Sequence, residues 1–218
     1  MFEYVQEREF SARLEPRTMI YVITIGETEE IGSTKLTEKG RNQVLELAHS
    51  RLVAGIRIMY SDPSNAAIQT SEILRREFEC KMEKRSCLSE INWGFKWDDI
   101  EQLKENLPKM WSDENESVNR GESLAEARER IGICMNEIAV KHVGDSLAVV
   151  MHPLITTLFH SLVTAAPLEF KDWLMMGYAA CASYEYTKKG WTLVMPPDNS
   201  FQSDPSCTGD ILPEDIFE

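Results

Sequence analysis

Two uninterrupted apolar runs constrain this chain most. Met19 to Ile25 (MIYVITI) and Ser146 to Met151 (SLAVVM) lack the alternation of a strand with one wet face. Runs of this kind, rich in β-branched residues, read as strands covered on both sides. Helical patterns follow each of them. Gly26 ends the first strand, and Thr37 is a plausible N-cap for a helix with Gly40 in its first turn and Val44, Leu45, Leu47, Ala48 and Leu52 on one face. Leu154 to Leu162 continues directly from the second run as an apolar helix. Between them, Ile56 to Tyr60 reads as a short strand, Ser61-Asp62-Pro63 as a break, and Asn65 to Phe78 as a helix. Glu122 to His142 is the longest helical run, with Leu124, Ala127, Ile131, Cys134 and Ile138 at helical spacing. Ala179 to Tyr186 and Trp191 to Met195 flank Lys188-Lys189-Gly190, as in a hairpin.

Strands alternating with helices imply an α/β fold, a three-layer α/β/α sandwich around a mostly parallel central sheet. The 218 residues suit one domain. It is expected over 19–195, with an N-terminal extension over 1–18, an inserted segment near 90–120 and an acidic tail over 196–218. The insertion carries Trp93, Trp97 and Trp111, read as a small local core. The tail has six acidic residues and no Lys or Arg.

Charge narrows the partners. With 36 acidic against 23 basic residues, the net charge is −13. That argues against nucleic acid, whose backbone needs a basic face, and against an anionic membrane surface. The five cysteines are scattered without C-x-x-C spacing, so a reducing compartment is the simpler reading. The N-terminus lacks the apolar core of a signal peptide, and no apolar stretch is long enough to span a bilayer. A cytoplasmic protein is expected, without metal or cofactor; its partner, a small molecule or a protein, stays open, as does a homodimer.

In an open α/β sheet, ligands bind beyond the carboxyl ends of the strands. Three such ends are Thr24-Ile25-Gly26-Glu27-Thr28, Ser61-Asp62-Pro63 and Met151-His152-Pro153. Together with Leu36-Thr37-Glu38-Lys39-Gly40-Arg41, Gln69-Thr70, Leu88-Ser89-Glu90-Ile91-Asn92-Trp93-Gly94 and Gly121-Glu122-Ser123, they follow a recognisable order. In that order and spacing the chain resembles the histidine phosphatase superfamily, the phosphoglycerate mutase-like proteins.

The resemblance implies the fold, but it carries few of the chemical groups. Superfamily enzymes attack a phosphoryl group with a histidine that follows an arginine at the end of the first strand. A second arginine and a second histidine hold the phosphate, and a carboxylic acid protonates the leaving oxygen. Here the nucleophile's place is taken by Ile25, beside Gly26, the adjacent arginine's by Thr24 and the second arginine's by Ala66. Only His152, as second histidine, and Glu90, as acid, match. Isoleucine cannot accept a phosphoryl group, and loss of a nucleophile typically costs on the order of 10⁴–10⁶ in rate. Losing both arginines removes the donors that suit phosphate best.

The implied reading is a pseudoenzyme that binds or regulates, with Thr24, Ile25, Gly26 and Ala66 as degenerate pocket positions and His152 and Glu90 as remnants. Two alternatives stand beside it. One is a diverged phosphatase acting on a phosphomonoester through His152 and Glu90, which needs compensating cations such as Lys35, Arg41 or Arg120. The other is a structural subunit of a complex. His49, His142 and His160 read as structural, and Met175-Met176 beside Trp173 as core packing. No cysteine-phosphatase loop, G-x-S-x-G elbow, P-loop or dinucleotide fingerprint occurs.

Overall fold

A computed structural model describes residues 16–32 and 34–212. In chain order the elements are β1 (Thr18–Thr24), α1 (Glu38–His49), β2 (Ile56–Ser61), α2 (Asn65–Phe78), β3 (Lys81–Lys84), a 3₁₀ turn (Ser86–Leu88), α3 (Ile100–Ser112) and α4 (Leu124–Lys141). β4 (Ser146–Met151), α5 (Pro153–Thr164), α6 (Phe170–Leu174), β5 (Cys181–Thr187), β6 (Gly190–Asp198) and a second 3₁₀ turn (Thr208–Ile211) complete it. The strands form one sheet in the order β3-β2-β4-β1-β5-β6. β3, β2, β4 and β1 pair in parallel, and β5 and β6 add an antiparallel edge.

The two apolar runs become the two central strands, paired from Met19↔Ser146 to Thr24↔Met151. Their side chains alternate between two cores, which is why neither run alternates in polarity. Ile20, Val22, Leu147, Val149 and Met151 pack with Leu124, Ala127 and Ile131 of α4 and Leu154 and Leu158 of α5. Ile23, Ala148 and Val150 pack on the other face with Val44 and Leu47 of α1 and Ala67 and Leu74 of α2. The result is the three-layer sandwich.

Several expectations shift. β1 ends at Thr24, leaving Ile25 just beyond it. β3 has no apolar signature because Lys81, Glu83 and Lys84 are exposed on the sheet's edge, where charge discourages pairing with another chain. The inserted tryptophans do not form a separate core. Trp93 belongs to the main core, and Trp97 and Trp111 pack against it beside Trp173, with Trp111 stacked on Trp173 at 5.1 Å. The indole N–H groups of Trp93, Trp97 and Trp111 are buried and have no hydrogen-bond partner among the described residues. The stretch 196–212 is integrated rather than loose. β6 extends to Asp198, and Gln202, Ser206, Thr208 and Leu212 are buried. The extension over 1–15 and the tail acids Glu214, Asp215 and Glu218 lie outside the described residues. No helix among the described residues is long and apolar enough to cross a membrane.

Cys87 and Cys134 form a disulfide that ties the first 3₁₀ turn to α4, at odds with reading all five cysteines as reduced thiols. Their spacing gave no hint, because 47 residues separate them. Cys80, Cys181 and Cys207 carry free thiols. Closing a loop of that length restricts the unfolded chain by up to about 4 kcal/mol. Denaturant unfolding with and without reductant is expected to show a loss approaching that value, and a Cys134→Ser variant is expected to unfold alike in both conditions.

Candidate functional site

Because β1, β2 and β4 run parallel, their carboxyl ends share one rim of the sheet. Ile25, Asp62 and His152 are the first residues beyond those three strands. His152 is also the N-cap of α5, with Pro153 at its first position, so the helix start fixes the imidazole at the rim.

A carboxylate holds that imidazole firmly. Asp62 Oδ2 lies 3.0 Å from His152 Nε2. Ser64 donates its backbone N–H to Asp62 Oδ1 at 3.0 Å and its hydroxyl to Oδ2 at 2.7 Å, and Ser64 Oγ is itself 3.0 Å from His152 Nε2. Ser64 also caps α2, which locks it in place. On the ring's other side, Glu90 Oε2 stands 3.6 Å from Nδ1, and Glu90 Oε1 accepts from the Ile91 N–H at 2.8 Å.

The titration directions follow from this geometry. Burial pulls the His152 pKa down, but the Asp62 hydrogen bond and the charges of Glu90 and Asp62 outweigh it, so the imidazolium is favoured. Burial pushes Asp62 up, yet the His152 bond and charge and the two Ser64 donors carry it below the ordinary carboxylate value. Glu90 goes the other way. Its desolvation dominates, and the His152 charge only partly offsets it, so its pKa is raised.

Glu90 is placed by α4. Arg130 donates to Cys87 O and Ser89 O, both at 2.9 Å, while its other donors engage the two carboxylate oxygens of Glu122 at 2.6 and 2.7 Å. Together with the disulfide, this clamps the turn that presents Glu90. The Gly121-Glu122-Ser123 segment is therefore structural here: Glu122 holds Arg130, and Ser123 N-caps α4 in a capping box with Glu126. Close approach explains two glycines of the pattern. A Cβ on Gly40 would sit 2.2 Å from Glu27 O, and one on Gly26 2.5 Å from Gly40 O. Only glycines let the start of α1 touch the segment leaving β1.

The remaining sequence-named positions are apolar or internally satisfied. Ile25 and Ala66 are each 1% exposed and belong to one core cluster. Thr24 donates to Gly177 O at 2.7 Å and accepts from the Ala180 N–H at 2.8 Å. Gly26 donates its N–H to Thr70 Oγ1. Lys35, Arg41 and Arg120 are exposed, and Arg41 is engaged with Gln69 at 2.7 Å. Thus the structure brings Ile25, Glu90 and His152 to one cleft and leaves the three proposed cations outside it.

That cleft has a volume of about 20 Å³. Ile25, Thr28, Ile31, Gly32, Glu90, His152, Pro153, Trp173, Tyr178 and Thr208 line it. Sequence reasoning missed Asp62 and Ser64 as partners of His152, although adjacency of β2 and β4 would have brought them together. Tyr178 and Thr208 gave no signal, because a later chain crossing places them: Tyr178 N–H donates to Ser206 O, and Thr208 N–H to Met176 O. A larger depression of about 270 Å³ borders α1 around Asn42, Gln43 and Ser203, away from the strand ends.

The Asp62–His152 pair gives a signed pH dependence. The raised imidazole contributes stability fully below its unfolded pKa and loses it as pH rises through the folded value. The depressed carboxylate contributes stability above its unfolded pKa and loses it as pH falls through the folded value. Asp62→Asn is therefore expected to cost most between about pH 4 and 6.5, the ordinary values of the two groups, and less as pH rises past the folded imidazole pKa. Imidazole NMR titration of the variant should show a lower His152 pKa; an unchanged value would contradict the pairing.

The model of the histidine phosphatase superfamily (branch 1) matches residues 26–199. No curated protein sequence is a significant match. Among solved structures, phosphoserine phosphatase from Entamoeba histolytica, in complex with 3-phosphoglyceric acid, superposes with a TM-score of 0.73 at 17% identity, covering 84% of this chain and 98% of that one. YhfR from Bacillus stearothermophilus gives 0.70 at 20% identity, covering 84% and 98%. Phosphoglycerate mutase from Bacillus anthracis gives 0.67 at 17% identity, covering 86% and 96%. At these identities the superpositions speak for the fold, and the sequence match over 26–199 speaks for descent: the chain belongs to the histidine phosphatase superfamily, branch 1.

Proposed function

We propose that this superfamily member is a non-catalytic binding or regulatory module whose crevice no longer performs phosphohistidine chemistry. One observation carries the reading: where the superfamily places its nucleophilic histidine and second arginine, Ile25 and Ala66 are buried apolar residues of one core cluster. At the position of the superfamily's nucleophile, isoleucine offers no lone pair with which to attack a phosphoryl group. Charge supports the same reading. A phosphomonoester entering the cleft would meet the Glu90 carboxylate and an imidazolium already engaged by Asp62. No arginine or lysine, the cationic donors that clamp a transferring phosphoryl group, is in the cleft lining.

A second reading keeps the phosphomonoester chemistry for which the solved relatives are named, with His152 and Glu90 carrying it. Their 3.6 Å separation and the raised Glu90 pKa, suited to an acid, are the observations in its favour.

Hydrolysis of an aryl phosphate across pH, with His152→Ala beside the wild type, separates the two. The module reading expects both proteins to be equally silent. Turnover by the wild type that falls by about 10² or more in the variant would establish the second reading.

A further inference from the structure

We infer that the Cys87–Cys134 disulfide is a redox-sensitive lever on the cleft, whose reduction lets Glu90 draw away from His152. The bond joins the turn that carries Glu90 to a helix that lines no part of the cleft. Cys87 is three residues before Glu90, and Cys134 lies on α4, four residues past Arg130 and so about one helical turn along the same face.

The two charged partners in the cleft are held unequally. His152 is fixed as the N-cap of α5 and by Asp62 and Ser64, each 3.0 Å from Nε2. Glu90 Oε2 stands 3.6 Å from His152 Nδ1, too far for a hydrogen bond, and Oε1 bonds only to the neighbouring Ile91 N–H. The place of Glu90 is therefore set by the backbone of its turn. That backbone is tied down at the Cys87 sulfur, by the Arg130 bonds to Cys87 O and Ser89 O, and by the Glu122 N–H bond to Asn92 O at 2.7 Å. Of these ties only the disulfide is covalent, and only it responds to a reductant.

Both thiols have a place in the reduced fold. Cys134 is 2% exposed in the main core, where a thiol packs as a small apolar group. Cys87 is half-buried at the margin of that core, so it is the more accessible half of the bond. A dithiol reductant attacks Cys87 Sγ as a thiolate, the S–S bond breaks, and Cys134 leaves as a thiolate that takes up a proton. The reductant's second thiol then displaces Cys87, which takes up the other proton. The protein gains two electrons and two protons, and the reductant becomes a disulfide. Cys80, Cys181 and Cys207 are free thiols, so the reaction has one target.

NMR of the full chain, oxidised and in dithiothreitol, tests the lever. The His152 imidazole is expected to titrate at lower pH in the reduced form, because the Glu90 charge that favours the imidazolium stands farther off while Asp62, the other carboxylate on the ring, stays in place. The Ile91 amide is expected to exchange about tenfold faster or more, and the Thr24 amide, bonded to Ala180 O in the central sheet, at an unchanged rate. Cys134→Ser without reductant is expected to match the reduced wild type, and the wild-type comparison stands even if that variant misfolds. Either readout left unchanged overturns the inference. So does equal acceleration at Ile91 and Thr24, the mark of a bond that only stabilises the fold as a whole, and so does a disulfide that resists dithiothreitol in the folded protein, read by thiol alkylation and mass spectrometry.

Discussion

The hydrogen bond between Asp62 and His152 organises the crevice. It joins the ends of two neighbouring parallel strands and favours the protonated form of the imidazole. A histidine in this setting is biased toward a bound cation and away from the free base that general-base or nucleophilic work needs. The bond also draws in Ser64, so that the start of α2 and the rim of β4 become one unit. Glu90 enters from a third direction, on a turn clamped by Arg130 and the Cys87–Cys134 disulfide.

Much of the superfamily pattern in this chain has a packing role independent of chemistry. Gly26 and Gly40 let the first helix touch the segment leaving β1. Glu122 and Ser123 anchor Arg130 and the start of α4. These residues serve the fold itself, and Thr24, Ile25 and Ala66 are also packed or bonded into it. A frame that persists where the reacting groups differ is what the proposed module reading requires. Thr24 illustrates the mechanism, since its hydroxyl bonds to the chain at Gly177 and Ala180 and helps seal the rim.

The sheet was legible because its central strands are buried on both faces, which leaves continuous apolar runs in the sequence. β3 was not, because an edge strand made of Lys-Met-Glu-Lys owes its place to pairing with β2 and not to burial. The meeting of Ile25 and His152 followed from the rule that parallel strands share a carboxyl rim, whereas Glu90 is brought there by the turn that Arg130 and the disulfide hold. The partners of His152 needed the strand order, and Tyr178 and Thr208 needed the return of the chain after β6. The acidic composition of 196–218 suggested a tail, yet its first part is held by a few buried polar side chains, such as Gln202 and Thr208, that carry no periodic signal. Likewise the tryptophans of the insertion gave away an aromatic cluster but not its union with Trp173.

The most direct test of the proposal that the crevice does not bind phosphate is to follow the His152 imidazole resonances by NMR while inorganic phosphate is added at fixed pH and ionic strength. With the imidazole committed to Asp62 and no arginine in the cleft, the account predicts no saturable change in those resonances. A saturable shift of His152, reversed by dilution of phosphate, would show that the crevice still holds the anion and would contradict the account.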